Sequence, residues 1–261
     1  MSTLFIAASG MVAQQFNSEL IADNFANMNT VGKKRKRAVF EDQVFSQTTR
    51  PGAPSSDAGT LMPSGVQRGG GVRVASTYRV NEQGAPEPTG NNNDIMIQGR
   101  GYLHVSLPNG KSAYTRAGNL NQAPDGTLVT SEGFIVMPGL KVPPGGQMNI
   151  DPNGQVSVHI DGQIADQVVG TLELVDFAND GGLLEIGGNL LQETESSGPP
   201  QIGTPGVKGY GTILAGHLEA SNVNPIQEVV TLIKTQRGFE MNSKVIEAAD
   251  KMFSTTVSMV R

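Results

Sequence analysis

The sequence predicts an α+β fold, with long helices at both ends forming a coiled-coil-like assembly core around which sit a central antiparallel β domain and an extended arm. Three observations lead there. Apolar residues recur every three or four positions at both ends, and short apolar or alternating runs separated by Gly, Pro, Asn and Asp fill the middle. Composition agrees: 33 Gly and 15 Pro stand against four Tyr, nine Phe and no Trp in 261 residues, which favours many short strands over a large α/β enzyme.

From Ser2 to about Met28, the residues Phe5, Ala8, Val12, Phe16 and Leu20 recur at helical spacing, with Ile21, Phe25 and Met28 on the neighbouring flank. This spacing predicts an amphipathic helix of about 40 Å. Asn27, Asn29, Thr30 and Gly32 supply its stop signals. The run Lys33-Lys34-Arg35-Lys36-Arg37 follows, where cations complement the negative end of a helix. Taken alone it could bind nucleic acid, anionic lipid or acidic partner residues, and a solvated or subunit-bridging role fits it better.

Residues 46–71 are rich in Pro, Gly and Ser and poor in apolar side chains, so they form either an extended interaction arm or a linker. Beyond them Ile95-Met96-Ile97, residues 102–105, 127–130 and 134–136, residues 155–160 and residues 171–175 read as strands. Pro108-Asn109-Gly110, Pro124-Asp125-Gly126 and Asp151-Pro152-Asn153-Gly154 supply turns between them. These runs predict an antiparallel β domain over residues 76–199.

Asn224, Pro225 and Gln227 form an N-cap, a first-turn proline and an approximate capping box, so a second long helix starts there. Two apolar stripes run along it. One holds Val230, Ile233, Met241, Val245, Ala248, Met252 and Met259; the other holds Val229, Leu232, Phe239, Ile246, Ala249, Phe253, Val257 and Val260. Together they are wider than a two-helix seam covers. Either the middle of the chain covers the remainder within one monomer, or other copies do, each buried side chain contributing about 1.5–3 kcal/mol.

Signals of other chemistry are weak. A net charge of −5 gives no whole-chain nucleic-acid footprint, and without cysteine there is no disulfide, thiolate metal site or cysteine nucleophile. His104, His159 and His217 are far apart, with no metal-ligand spacing. Gly99-Arg100-Gly101 lacks the third glycine of a dinucleotide fingerprint, and no phosphate loop or nucleophile elbow occurs. Paired-carboxylate hydrolases need no fixed spacing, and nothing points to one. The expectation is a non-enzyme with no catalytic, metal or cofactor residues. No run reaches the roughly 18 apolar residues of a membrane span, and the N-terminus lacks the basic leader of a secretory signal.

Several motifs in order then carry a resemblance. Gly10, Ala13-Gln14-Gln15, residues 21–27, Asn29-Thr30 and Gly32 open it, with Asp23, Phe25 and Lys33 replacing the commoner Asn, Leu and aromatic residue. Residues 97–102, residues 114–118 and Gly126-Thr127-Leu128-Val129-Thr130 with Gly133 continue it, and Glu219, Ser221-Asn222-Val223, Gln236-Arg237 and Asn242-Ser243-Lys244 close it. Over nearly its whole length the chain resembles the bacterial flagellar rod and hook family. Residues 50–56, Leu61 and residues 63–65 are similar to the insertion that marks distal rod members, which turns the arm at 46–65 from linker to ordered contact arm.

The resemblance implies a structural subunit of the flagellar distal rod, assembling helically into a rigid hollow shaft that transmits torque to the hook and passes exported subunits. It divides the chain into an N-terminal helix (1–33), a connecting segment with arm (34–75), the β domain (76–199), a return connection (200–221) and a C-terminal helix (222–261). The expected helical-core contacts are Phe5, Val12, Phe16, Leu20, Asn24, Asn27, Val230, Ile233, Phe239, Met241, Val245, Ile246, Met252 and Phe253. The expected arm contacts are Arg50, Pro51, Gly52, Ser55, Ser56, Leu61 and Pro63. Implied partners are many copies of the chain, proximal rod and hook subunits, surrounding basal-body ring proteins and the type III export apparatus, with no nucleic acid and no membrane insertion. The implied location is the rod across the periplasm, reached without signal cleavage.

Overall fold

The two long helices expected at the ends are present in the computed structural model, which describes residues 2–44, 46–49, 64–143, 146–160, 166–207 and 209–259. The first, α1, spans Ser2–Ala26, and the second, α2, spans Pro225–Met259. Asn224 caps α2, its Oδ1 accepting from the amides of Ile226 at 3.1 Å and Gln227 at 3.3 Å, while Pro225 fills the first helical position. No helix among the described residues is long and apolar enough to cross a membrane.

The chain divides into two units: Met1–Ala26, Lys36–Tyr78 and Asn224–Arg261 form one, and Asn27–Arg35 with Arg79–Val223 form the other. In the first unit α1 and α2 make an antiparallel hairpin. The strands Lys36–Asp42 and Val72–Arg79 pair beside it, and Ser46–Thr49 pairs antiparallel with Val66–Arg68. That last ribbon is the base of the arm, whose tip residues 50–63 lie outside the described residues.

The second unit is β-rich. Its nine-stranded sheet is built around Tyr102–Ser106, which pairs antiparallel with Ser112–Thr115 in the register Leu103↔Thr115 and Val105↔Ala113. The three predicted turns share one geometry. The amides of Gly110, Gly126 and Gly154 each bond the carbonyl three residues earlier, and each glycine has positive φ (76°, 83° and 79°), where a Cβ is disfavoured. Alternation along Tyr102–Ser106 sends Leu103 and Val105 to one face and Tyr102 to the other. The first face belongs to the large aliphatic core with Ile95, Ile97, Leu128, Val156 and Leu174. The second holds a smaller aromatic cluster of Tyr102, Tyr114, Val175, Phe177, Leu183 and Leu191, in which Tyr114 and Phe177 meet edge to face at 4.8 Å.

Three expected boundaries differ. The N-terminal helix, expected over 1–33, ends at Ala26, where a turn closed by the Thr30 amide on the Asn27 carbonyl follows, and residues 27–35 belong to the β unit. The predicted strand over 171–175 is two strands, Gln167–Thr171 and Leu174–Asp176, because the first pairs with Gln155–His159 in a three-stranded sheet and the second with Tyr102–Ser106 in the nine-stranded one. Residues 200–221, expected as a return connection, carry three strands: Gln201–Gly203, Thr212–Ala215 and His217–Glu219. Thr212–Ala215 pairs with Ile95–Gln98 and His217–Glu219 with Pro86–Pro88, so these residues belong to the β unit.

At that last strand lies a fully buried carboxylate. Glu219 accepts from Lys34 Nζ and, at 3.0 Å, from the Gly84 amide on Oε1, and from Arg116 Nε at 3.0 Å on Oε2. Its backbone carbonyl accepts from the Gly32 amide at 2.8 Å. A buried charge without partners is strongly destabilising, so these donors are obligatory. Gly84 is required because a Cβ there would stand 1.8 Å from the Ala220 carbonyl oxygen. Burial, reinforced by the neighbouring Arg116 charge, lowers the pKa of Lys34, and the bond to Glu219 opposes this. Asn222 continues the junction, accepting from the Arg35 amide at 2.7 Å and donating to the Val80 carbonyl at 2.7 Å and that of Glu82 at 2.9 Å.

Lys33 to Lys36 of the basic run are paired within the chain, and Arg37 is exposed. Lys33 pairs with Glu185 at 3.5 Å and Arg35 with Glu82 at 3.0 Å in the β unit, and Lys36 pairs with Asp23 at 3.8 Å in the helical unit.

Two measurements check the β unit. Gly118→Ala would put a Cβ 1.7 Å from the Ile95 carbonyl oxygen, so denaturant titration is expected to show a loss of about 3 kcal/mol or more. Burial, with Asp180 adding for Tyr102 and Glu193 for Tyr114, pushes both hydroxyl pKa values from 10.0 up to about 12. The folded chain keeps protons that unfolded tyrosine releases, so stability is complete below pH 10 and is lost as pH rises from about 10 to about 12. The doubly substituted chain, Tyr102→Phe with Tyr114→Phe, is expected to show a flatter alkaline decline in the same titration.

Candidate assembly interface

The hairpin is joined along an unusually small and polar seam. On α1 the buried positions are Ala7, Ala13, Ile21 and Asn24; on α2 they are Glu228, Thr235 and Ala249. Contacts step along the two helices in sevens, with opposite chain direction. Asn24 Nδ2 reaches Glu228 Oε2 at 3.4 Å, Asn17 Nδ2 donates to Thr235 Oγ1 at 2.9 Å, and Gly10 lies against the Asn242 side chain. Gly238 lies against Gln14 in the same register. Asn24 also holds the chain after α1, accepting from the Lys36 amide at 2.8 Å and donating to the Lys36 carbonyl at 2.9 Å.

The large apolar side chains face away from this seam. Phe5 is 61% exposed, Val12 65% and Met241 63%. Val230, Ile233, Phe239 and Val245 are exposed as well, Met252 and Phe253 are exposed past the start of α1, where the seam has ended, and Phe16, Leu20 and Ile246 are half-buried. Asn24 is buried in the seam, and Asn27 lies in the β unit, its carbonyl accepting from the Thr30 amide at 3.1 Å. The expected arm contacts Arg50, Pro51, Gly52, Ser55, Ser56, Leu61 and Pro63 lie outside the described residues.

The helical unit thus presents a long apolar surface on both helices. Exposed apolar side chains grouped in this way make this face the candidate site of association. Beside the seam runs a groove lined by Gln14, Ser18, Gln236, Phe239 and Glu240, which adds an irregular surface to that face. Reasoning from apolar spacing found these outward stripes and missed the seam. The signal was present at heptad spacing: Gly10, Asn17 and Asn24 on one helix, and Glu228, Thr235, Asn242 and Ala249 on the other.

The three histidines stay apart, each with its own neighbour: His104 Nε2 with Ser112 Oγ at 3.0 Å, His159 Nδ1 with Asp166 at 2.8 Å, and His217 Nδ1 with the Ala215 carbonyl at 2.9 Å. The recess of about 470 Å³ in the β unit is lined by Lys33, Lys34, Arg79, Arg116 and Glu185, which serve the ion pairs and hydrogen bonds of the junction.

Comparison with known proteins bears on all of these regions. Residues 4–34 match the flagella basal body rod protein family, residues 96–158 the flagellar hook protein FlgE/F/G D1 domain, and residues 214–259 the flagellar basal body rod FlgEFG protein C-terminal family. The flagellar basal-body rod protein FlgG of Caulobacter vibrioides is 48% identical over 98% of this chain and 98% of its own. That of Borreliella burgdorferi is 40% identical over 100% of this chain and 99% of its own. Among solved structures, the flagellar hook protein FlgE2 of Helicobacter pylori is similar at 18% identity, covering 71% of this chain and 43% of that one, with a TM-score of 0.25, too loose to bear on the fold. With full-length identity at this level, the chain belongs to the flagellar basal-body rod protein family.

Proposed function

We propose that this chain is a structural subunit of the flagellar distal rod, which assembles with copies of itself into a rigid hollow helical shaft. The observation that carries this reading is the outward apolar surface of the hairpin: Phe5, Val12, Val230, Ile233, Phe239 and Met241 are exposed while small and polar residues face the seam. Each such side chain contributes about 1.5–3 kcal/mol once covered. A heterologous interface that does not close on itself propagates as a helix, so covering these stripes with neighbouring copies yields a tube. The helices then form the inner layers around a channel and the β units the outside.

In this reading the rod crosses the periplasm, carries torque from the motor to the hook, meets proximal rod and hook subunits at its ends, and runs within the surrounding rings. Its subunits leave through the flagellar type III export channel. The arm at 46–65, rooted on the ribbon of Ser46–Thr49 and Val66–Arg68, bridges neighbouring subunits. The chain's role is mechanical, and no catalytic step enters it.

Assembly can be followed by electron microscopy and sedimentation, with isolated basal bodies as seeds. Met241→Asp and Ile246→Asp are each expected to weaken subunit association by about tenfold to a hundredfold, the loss of one apolar contact, while circular dichroism shows an unchanged β unit. Normal tubes from both variants would reject the helical core. Deleting residues 46–65 is expected to leave the subunit folded and to yield altered or no straight tubes.

A further inference from the structure

The seam between α1 and α2 contains a glycine in the interior of each helix. Gly10 and Gly238 both sit at ordinary helical conformation, absent from the positive-φ glycines of the described chain. A glycine there weakens a helix by about 1 kcal/mol relative to alanine, and no backbone requirement offsets that. Packing does. A Cβ on Gly10 would lie 2.8 Å from Asn242 Nδ2, and one on Gly238 would lie 3.2 Å from the Gln14 amide carbon. Each glycine is thus a hole filled by an amide side chain from the opposite helix, and the two holes lie on opposite helices.

The bonds of Asn24 to Lys36 hold the loop end of α1, and along the rest of the seam register must come from the residues that meet there. The outward stripes repeat along both helices, so a slip of one heptad, about 10.5 Å along the axis, leaves a similar apolar surface outside. Small and polar residues along the seam give little apolar burial to oppose it. The slip does change what meets the holes. Advancing α2 by a heptad in either direction brings Asn242 opposite Asn17 or Thr3 instead of Gly10, and Gln14 opposite Val245 or Thr231 instead of Gly238. The hydrogen bond from Asn17 to Thr235 and that from Asn24 to Glu228 are lost from their partners as well.

We propose that Gly10 with Asn242, and Gly238 with Gln14, are the specificity-determining pairs that set the register of the terminal helices within one subunit. Buried polar residues in helical seams select register in this way at some expense in stability. The pairs act within the monomer and stand apart from the assembly reading, while determining which apolar residues lie side by side on the outer surface.

The chain has no cysteine, so introduced pairs report register cleanly. Full-length chain is held at a dilution where it elutes as a monomer, which keeps failure to assemble separate from the result. Ala7→Cys with Val245→Cys, one heptad from Gln14 and Gly238, reports the observed register, and Ala7→Cys with Met252→Cys reports a one-heptad slip. The first pair is expected to form its disulfide at least about tenfold faster than the second. Adding Gly10→Asn is expected to reduce that preference to about twofold or less, and adding Asn242→Gly to it, which moves the hole to the other helix, is expected to restore it. Equal rates in the parent pairs would overturn the proposal. So would an unchanged preference with Gly10→Asn, as expected if the glycine is only slack. A double variant that stays scrambled while circular dichroism shows both helices formed would also overturn it, because a keyed hole must work from either side.

Discussion

The interaction on which the β unit depends is the burial of one carboxylate. Glu219 is wholly removed from water, and its charge is tolerable only because Lys34, Arg116 and the Gly84 amide converge on it. Those donors come from segments distant in sequence, so satisfying a single side chain gathers the residues after α1, the loop after Ser112–Thr115 and the strand before α2. The close approach of backbones around it explains Gly32 and Gly84, the first with φ of 69° and a Cβ position 2.9 Å from Arg116 backbone atoms. Asn222 extends the same logic, using its amide to satisfy three backbone groups. Residues 32–35 and residues 219–222 thereby meet within the β unit.

The helical unit follows a different rule. Its seam is held by shape and hydrogen bonds between small and polar residues, and its large apolar side chains point outward. In an isolated globular protein this would be an inverted arrangement, since apolar burial is the main source of stability. In the assembly proposed above it has a direct physical reading: the strongest association energy is left for contacts with other copies. The seam then serves to present that surface in one defined arrangement.

The helices were legible because helical spacing, an Asn-Pro start and stop residues are local signals. The β-rich middle was legible from alternation and from Gly-containing turns, whose three glycines all take positive φ. The ladder partners were not. That Thr212–Ala215 pairs with Ile95–Gln98 reflects core packing between residues far apart in the chain, which no local pattern encodes. The same holds for the basic run. As a sequence it resembles a docking patch, yet Lys33, Lys34, Arg35 and Lys36 each meet an acidic residue of their own chain, because acidic side chains from elsewhere are brought beside them.

By itself the sequence determined that this protein is α+β, that long helices stand at both ends, and that they carry more apolar surface than one helix pair can cover. Periodicity, capping and turn chemistry act over a few residues, so they survive without knowledge of the fold. Only the tertiary structure decided which face of each helix meets the other. Apolar spacing points toward the widest stripes, whereas the hairpin closes on Gly10, Asn17, Asn24, Thr235 and Gly238. Close approach of two helices is governed by side-chain volume and hydrogen-bond pairing across the gap, and those are properties of pairs of residues that only the folded chain brings together.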